Sequence, residues 1–261
     1  MRELGGTTHL GALAIIALLV PVNGLLHGQP AVAVADSALR LHYTFADVSG
    51  ATVPDVSGAG HGGTLEGNDG CLPKIVDTRY SSALELIKDS GHGVRITWAA
   101  DLGCPDGLTV MAWIRPNDVR RHLAIVAGKG DRVKGRPASG YRLSVSWNRV
   151  MMDIGLGGET GKRLSSPEWS ISAEAWAHVA MTFDGSRMAV YINASLAGEQ
   201  VLSEPGVIAP FKRGLTIGKY FWNDAYPFTG LLADVRIYDR ALDEDDIFSA
   251  AAHFLHQRSE D

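Results

Sequence analysis

The chain has 261 residues, is 46% hydrophobic and 20% charged, and carries a formal net charge of -5. That balance belongs to a folded globular protein, and its interspersed charges exclude the basic stripe that nucleic-acid binding needs. Thirty glycines point to many tight turns, as an all-β chain requires.

In chain order, the first feature is an export signal. Arg2 sits in a short polar start, and residues 10–22 (LGALAIIALLVPV) form a 13-residue apolar run. Such a run suits a signal peptide and is short against the ~20 residues of a membrane span. Ala33-Val34-Ala35 offers a small-residue cleavage site. Residues 1–35 are therefore expected to be a signal peptide and residues 36–261 the mature domain; an uncleaved N-terminal anchor is the alternative. Pro21 and Gly24 break the run, which favours cleavage. The mature part is long enough for one sandwich with a proper core and too short for two ordinary domains. No second apolar span follows, so the expected location is secreted, periplasmic or cell-surface. Cys71 and Cys104 are the only cysteines. In an oxidising compartment they are expected to form a disulfide, stabilising the fold by roughly 3 to 4 kcal/mol. Two free thiols are the alternative.

The mature part reads as short strands between turn signals. Residues 39–45 (LRLHYTF) alternate apolar and polar, the period of a half-buried strand. A glycine-rich loop follows at 53–63. Short strands are expected at 83–86 and 94–98, then a strongly apolar one at 108–115, which Pro116 ends. Strands at 123–127, 141–147 and 150–156 come next, the last two pairing across Asn148-Arg149. Between them, 129–139 (KGDRVKGRPAS) reads as a polar, basic loop. Residues 177–183 and 188–192 flank Asp184-Gly185, a strong hairpin signal. Asn193-Ala194-Ser195 makes a second turn, and is also a formal N-glycosylation acceptor. Strands at 196–202, 214–218 and 231–238 complete the pattern. Acidic Asp243 to Asp246 before an alanine-rich stretch predicts one C-terminal helix. Strands at this spacing mean an all-β sandwich or barrel.

Four segments sharpen that class. They are Leu41-His42-Tyr43-Thr44-Phe45 with Val53-Pro54-Asp55-Val56-Ser57-Gly58; Leu108 to Pro116 (LTVMAWIRP); Trp176 to Gly185 (WAHVAMTFDG) with Val190-Tyr191-Ile192-Asn193; and Phe228 to Leu242 (FTGLLADVRIYDRAL). Together and in this order they resemble the laminin-G-like, concanavalin A-like lectin/glucanase family. The resemblance implies a jelly-roll sandwich of two antiparallel sheets over nearly the whole mature chain. Ala194 stands where the family usually has glycine, and Ala59 where asparagine is common.

The resemblance also implies a calcium site where the first loop meets the last strand. Asp55 and Asp234 would supply carboxylates, and Gly60 and His61 backbone carbonyls, a donor set of the kind calcium takes. The alternative is that Asp55 caps its own turn and that Asp234 pairs with Arg236 or faces water. A ligand surface is suggested by the aromatic loop from Lys219 to Phe228, with Tyr220, Trp222, Asn223, Asp224 and Tyr226 as candidate contacts. Sugars stack on aromatic faces while Asn and Asp bind hydroxyls. The alternative is local packing over a sheet edge. Trp147 is a weaker candidate, since alternation places it on the core face. No strand carries the paired carboxylates that a glycan-cleaving enzyme needs, and His178 has no nucleophile signature beside it. The expected function is a non-catalytic module that binds a glycan or an extracellular protein. A glycan hydrolase or lyase and a structural or adhesive domain are the alternatives.

Overall fold

A computed structural model describes residues 36–120, 123–223 and 225–256, the last four by backbone alone. The expected signal peptide, residues 1–35, lies outside these residues. In chain order the strands begin with β1 (Leu39–Tyr43), β2 (Thr52–Val53), β3 (Gly63–Glu66) and β4 (Lys74–Asp77). Next come β5 (Ser82–Leu86), β6 (Gly93–Ile96), β7 (Leu108–Pro116) and β8 (Ala124–Val133). These are followed by β9 (Arg136–Ser146), β10 (Arg149–Ile154), β11 (Lys162–Ser165) and β12 (Ala177–Phe183). The last are β13 (Arg187–Ile192), β14 (Ser195–Val201), β15 (Leu215–Ile217) and β16 (Gly230–Tyr238), before helix α1 (Glu244–His256).

The strands form two antiparallel sheets, as the jelly-roll expectation requires. One runs β14-β13-β12-β7-β16-β5-β4, with β1 also pairing with β16. The other runs β11-β10-β9-β8-β15-β6-β3-β2. We call them the helix-side sheet and the open sheet. Alternate residues of each meet in one core: Val110, Ala112 and Ile114 of β7 from one side, Tyr141, Leu143 and Val145 of β9 from the other. Burying each such large side chain stabilises the fold by roughly 1.5 to 3 kcal/mol.

The helix-side sheet is buried on its second face too. There Met111, Ala180, Tyr191 and Tyr238 pack with Ile247 and Ala250 of α1, and Trp113 and Ala233 pack with Ala251. This double burial explains why β7 reads as a continuous apolar run rather than an alternating one. Helix α1 starts where the acidic cluster predicts. Asp243 caps it, its Oδ1 accepting from the Asp246 amide at 2.8 Å, and three carboxylates stand in the first turn.

Several expectations need correction. Residues 129–139 are not a loop. They lie in the long β8–β9 hairpin, whose two-residue turn is Lys134-Gly135, both at positive φ. The β9–β10 turn is Trp147-Asn148, one residue earlier than expected, with φ of 52° and 59°. Trp147 therefore points away from the core and is 58% exposed. The turn at Asn193-Ala194 keeps the same left-handed geometry without glycine. Ala194 is buried in the cluster beneath α1. Strands β4 and β11 were not expected; each ends a sheet, is partly exposed and lacks a clear alternation. Cys71 and Cys104 do not form the expected disulfide. Cys104 is fully buried in the core, its Sγ donating to the Asp101 carbonyl at 3.5 Å, whereas Cys71 is exposed. Burial pushes the Cys104 thiol up to about 12, which keeps it protonated. Among the described residues no helix is long and apolar enough to cross a membrane.

Candidate ligand-binding site

Among the described residues, no helix covers the outer face of the open sheet. Its register puts one polar row across all eight strands: Arg163, Asp153, Arg142, Gly128, Thr216, Arg95, Thr64 and Thr52. The core residues of the same strands occupy the alternate positions, so period-2 alternation generates this row. At one end Asp153 is 2% exposed. It accepts from Arg142 Nη2 at 2.5 Å and from Arg163 Nε at 2.6 Å. Burial alone would raise its pKa, but the hydrogen bond from Arg163 and the charges of both arginines hold it below the ordinary carboxylate value.

The aromatic loop folds back over this row. Thr216 Oγ1 donates to the Lys219 carbonyl at 2.8 Å, and the Phe228 amide closes the loop on the Gly218 carbonyl at 2.7 Å. The guanidinium of Arg142 then lies 5.7 Å from the Tyr220 ring centre, and that of Arg95 4.7 Å from the Phe221 ring. Tyr220 meets Tyr226 edge-on, while Phe221 and Trp222 both pack against Phe211. Local packing thus accounts for part of the loop, as the alternative reading expects. Phe221 and the inner edge of Tyr220 are held down, but Trp222 is 43% exposed. Arg213 stacks over the Trp222 ring at 4.4 Å. Trp222 forms one wall of an open cleft of about 480 Å³, shared with Asp131, Ser139, Pro210, Phe211, Lys212 and Arg213.

The expected contacts divide accordingly. Trp222 lines the cleft and Tyr220 the crevice beside it. Asn223 turns inward on its own loop, its Oδ1 accepting from the Ala225 amide at 2.9 Å. Tyr226 is at the rim, 37% exposed. Asp224 lies outside the described residues. Sequence reasoning missed Asp131, Arg142, Asp153, Arg163, Lys212 and Arg213. The Arg142 position was signalled by the alternation in YRLSVSW; the others meet only through sheet register.

The calcium expectation does not fit the residues present. Asp55 Oδ1 accepts from the His42 and Ser57 amides, at 2.9 and 3.0 Å. Its Oδ2 accepts from Ser57 Oγ and the His61 amide, both at 2.8 Å. These amide bonds hold its pKa down against burial. Asp234 is 5% exposed; its Oδ1 lies 2.6 Å from His42 Nε2 and accepts from Arg236 Nε at 3.0 Å. The His61 carbonyl accepts from Tyr43 Oη at 2.5 Å, and His61 Nε2 lies 2.7 Å from Asp101 Oδ2. Gly60 adopts a left-handed φ of 84° that shapes the turn. Asp55 is thus engaged as a turn cap, Asp234 by His42 and Arg236, and the His61 carbonyl by Tyr43.

His178 is a core histidine, 1% exposed and 5.5 Å from the Trp113 ring.

No curated protein sequence matches the chain. Its fold is similar to the binding domain of Paraclostridial Mosquitocidal Protein 1, at 18% identity and a TM-score of 0.64, over 82% of this chain and 52% of that one. It is equally similar to the binding domain of botulinum neurotoxin DC, solved in complex with rat synaptotagmin II: 18% identity, TM-score 0.63, 84% of this chain and 52% of that one. The chain thus spans about half the length of these toxin domains. Domain 4 of AbnA, a GH43 extracellular arabinanase from Geobacillus stearothermophilus in complex with arabinotriose, matches over 98% of its own length and 82% of this chain, at 22% identity and a TM-score of 0.57. Residues 88–248 match a laminin-G-type family model. That match takes in more than half of the chain, including β7 to β16 on both sides of the sandwich, and it places the chain in the Concanavalin A-like lectin/glucanases superfamily.

Proposed function

We propose that the protein is a secreted, non-catalytic carbohydrate-binding module whose ligand lies in the cleft beside Trp222. The observation that carries this is the half-exposed Trp222 ring at the wall of an open, polar cleft. A pyranose ring presents an apolar face for stacking and hydroxyls for polar neighbours, which Asp131 and Ser139 provide. The similar domain of the arabinanase, matched over nearly its full length, was solved with a bound arabinotriose, which supports a sugar. Export is supported by the apolar run at 10–22.

Asp153, the buried carboxylate of the open face, does not suit the acid role of a glycosidase. A glycosidase acid needs a raised pKa to hold its proton, and the two arginines push Asp153 the other way. The second reading is docking of an extracellular protein, favoured by the similarity to a toxin domain solved with synaptotagmin II. A glycan array with wild type and Trp222→Ala separates the two. Binding to a glycan class that disappears with Trp222→Ala is expected. Glycan binding that survives the substitution would remove the cleft from the proposal, and no binding to any glycan would turn it towards a protein partner.

A further inference from the structure

We infer that the cleft selects acidic sugars, with Arg213 and Lys212 holding a uronic-acid carboxylate beside Trp222. This rests on the sugar-binding role proposed above and specifies its substrate class. The chain as a whole is acidic, with a net charge of -5, yet cations gather at this end of the open sheet. Lys212 and Arg213 are exposed at the cleft. The adjoining crevice shares Asp131 and Ser139 with it and adds Arg142. Arg163 joins Arg142 on the far side of Asp153. Arg132 lies close enough that, besides its burial, the charge of Arg142 lowers its pKa. Among the described residues, Lys129, Arg132, Arg142, Arg163, Lys212 and Arg213 thus gather around Asp131 and Asp153, and Asp153 is already shared between two of the arginines.

Two further details point the same way. Arg142 is 7% exposed, and its buried Nε has no acceptor among the described residues although its Nη2 is paired with Asp153. Arg213 makes no ion pair among the described residues. Its guanidinium lies 4.4 Å from the centre of the Trp222 ring, so a carboxylate brought beside the indole meets a planar set of N–H donors. A neutral sugar would leave this excess of cations uncompensated.

The test uses a panel of galacturonate, glucuronate and mannuronate trisaccharides, each as free acid and as methyl ester, which differ in charge and not in ring shape. Binding is measured by calorimetry at low and moderate salt. At least one free acid is expected to bind about tenfold tighter than its ester or better, a preference of the size charge-assisted bonds give. That margin should shrink as salt rises. Arg213→Gln, an exposed position whose fold is checked by thermal unfolding, should bring the acid down to the affinity of the ester. Equal binding of acids and esters by the wild type would overturn the acidic preference while leaving sugar binding intact. So would an array showing only neutral glycans lost with Trp222→Ala. No binding to any glycan would overturn both.

Discussion

His178 lies on β12, 5.5 Å from the Trp113 ring and within reach of the charges of Asp234 and Arg236. Its Nδ1 is buried without a partner. Burial, with the charge of Arg236 added, pushes its pKa from 6.5 to about 4, against the opposing pull of Asp234. The folded state therefore takes up this proton later than the unfolded chain does. Stability from this group is complete above pH 6.5 and is lost as the pH falls from 6.5 towards 4. The loss amounts to about 3 kcal/mol over that window. His178→Phe keeps a ring against Trp113 and removes the titration. Its urea midpoint is expected to match or exceed the wild type at pH 7 and to fall less between pH 6.5 and 4. An unchanged slope would show that the pH dependence comes from elsewhere. At this scale the sequence was partly legible. It showed Asp55 and Asp234 as notable carboxylates. It did not show that His42 stands between them, its amide on one and its ring on the other, because that arrangement exists only once β1 has docked on β16.

Strands and turns were mostly legible as elements. Apolar alternation located the central strands, and Asp184-Gly185 marked its hairpin. The β8–β9 hairpin was hidden because its far end leaves the sandwich: Asp131, Val133 and Arg136 are exposed and show no alternation. The aromatic loop was visible as composition, but the face it folds on was not. That choice is set by Gly218, which ends β15 at a φ of +84° and donates its amide to the Val126 carbonyl. A Cβ there would sit 2.4 Å from Leu86 Cδ1. Gly218→Ala combines left-handed strain with a core clash. It is expected to cost about 1 to 3 kcal/mol and to weaken sugar binding by displacing Trp222, whereas Trp222→Ala should weaken binding with stability nearly unchanged. If Gly218→Ala bound glycans as the wild type does, the loop's path would not depend on this turn.

The molecule treats its two outer faces differently. The helix-side sheet presents Met111, Trp113, Ala180 and Tyr191 outward, and α1 has to cover them. The open sheet presents threonines, arginines and Asp153, and part of that row lies under the aromatic loop rather than under a helix. Acidic residues followed by an alanine-rich helix were readable in the sequence, and so was the apolar β7. Their meeting was not, since neither pattern names its partner. Two substitutions separate the faces. Ile247 is fully buried between α1 and the sheet, so Ile247→Asp would put a charge into an apolar layer. It should cost at least about 3 kcal/mol, with dye binding revealing the uncovered sheet. Thr64 is exposed on the open face, and Thr64→Ala should stay within about 0.5 kcal/mol of the wild type. Chemical unfolding of both proteins decides it. If Ile247→Asp proved as mild as Thr64→Ala, α1 would be an appendage, and the helix-side sheet, not only the open one, would be available for binding.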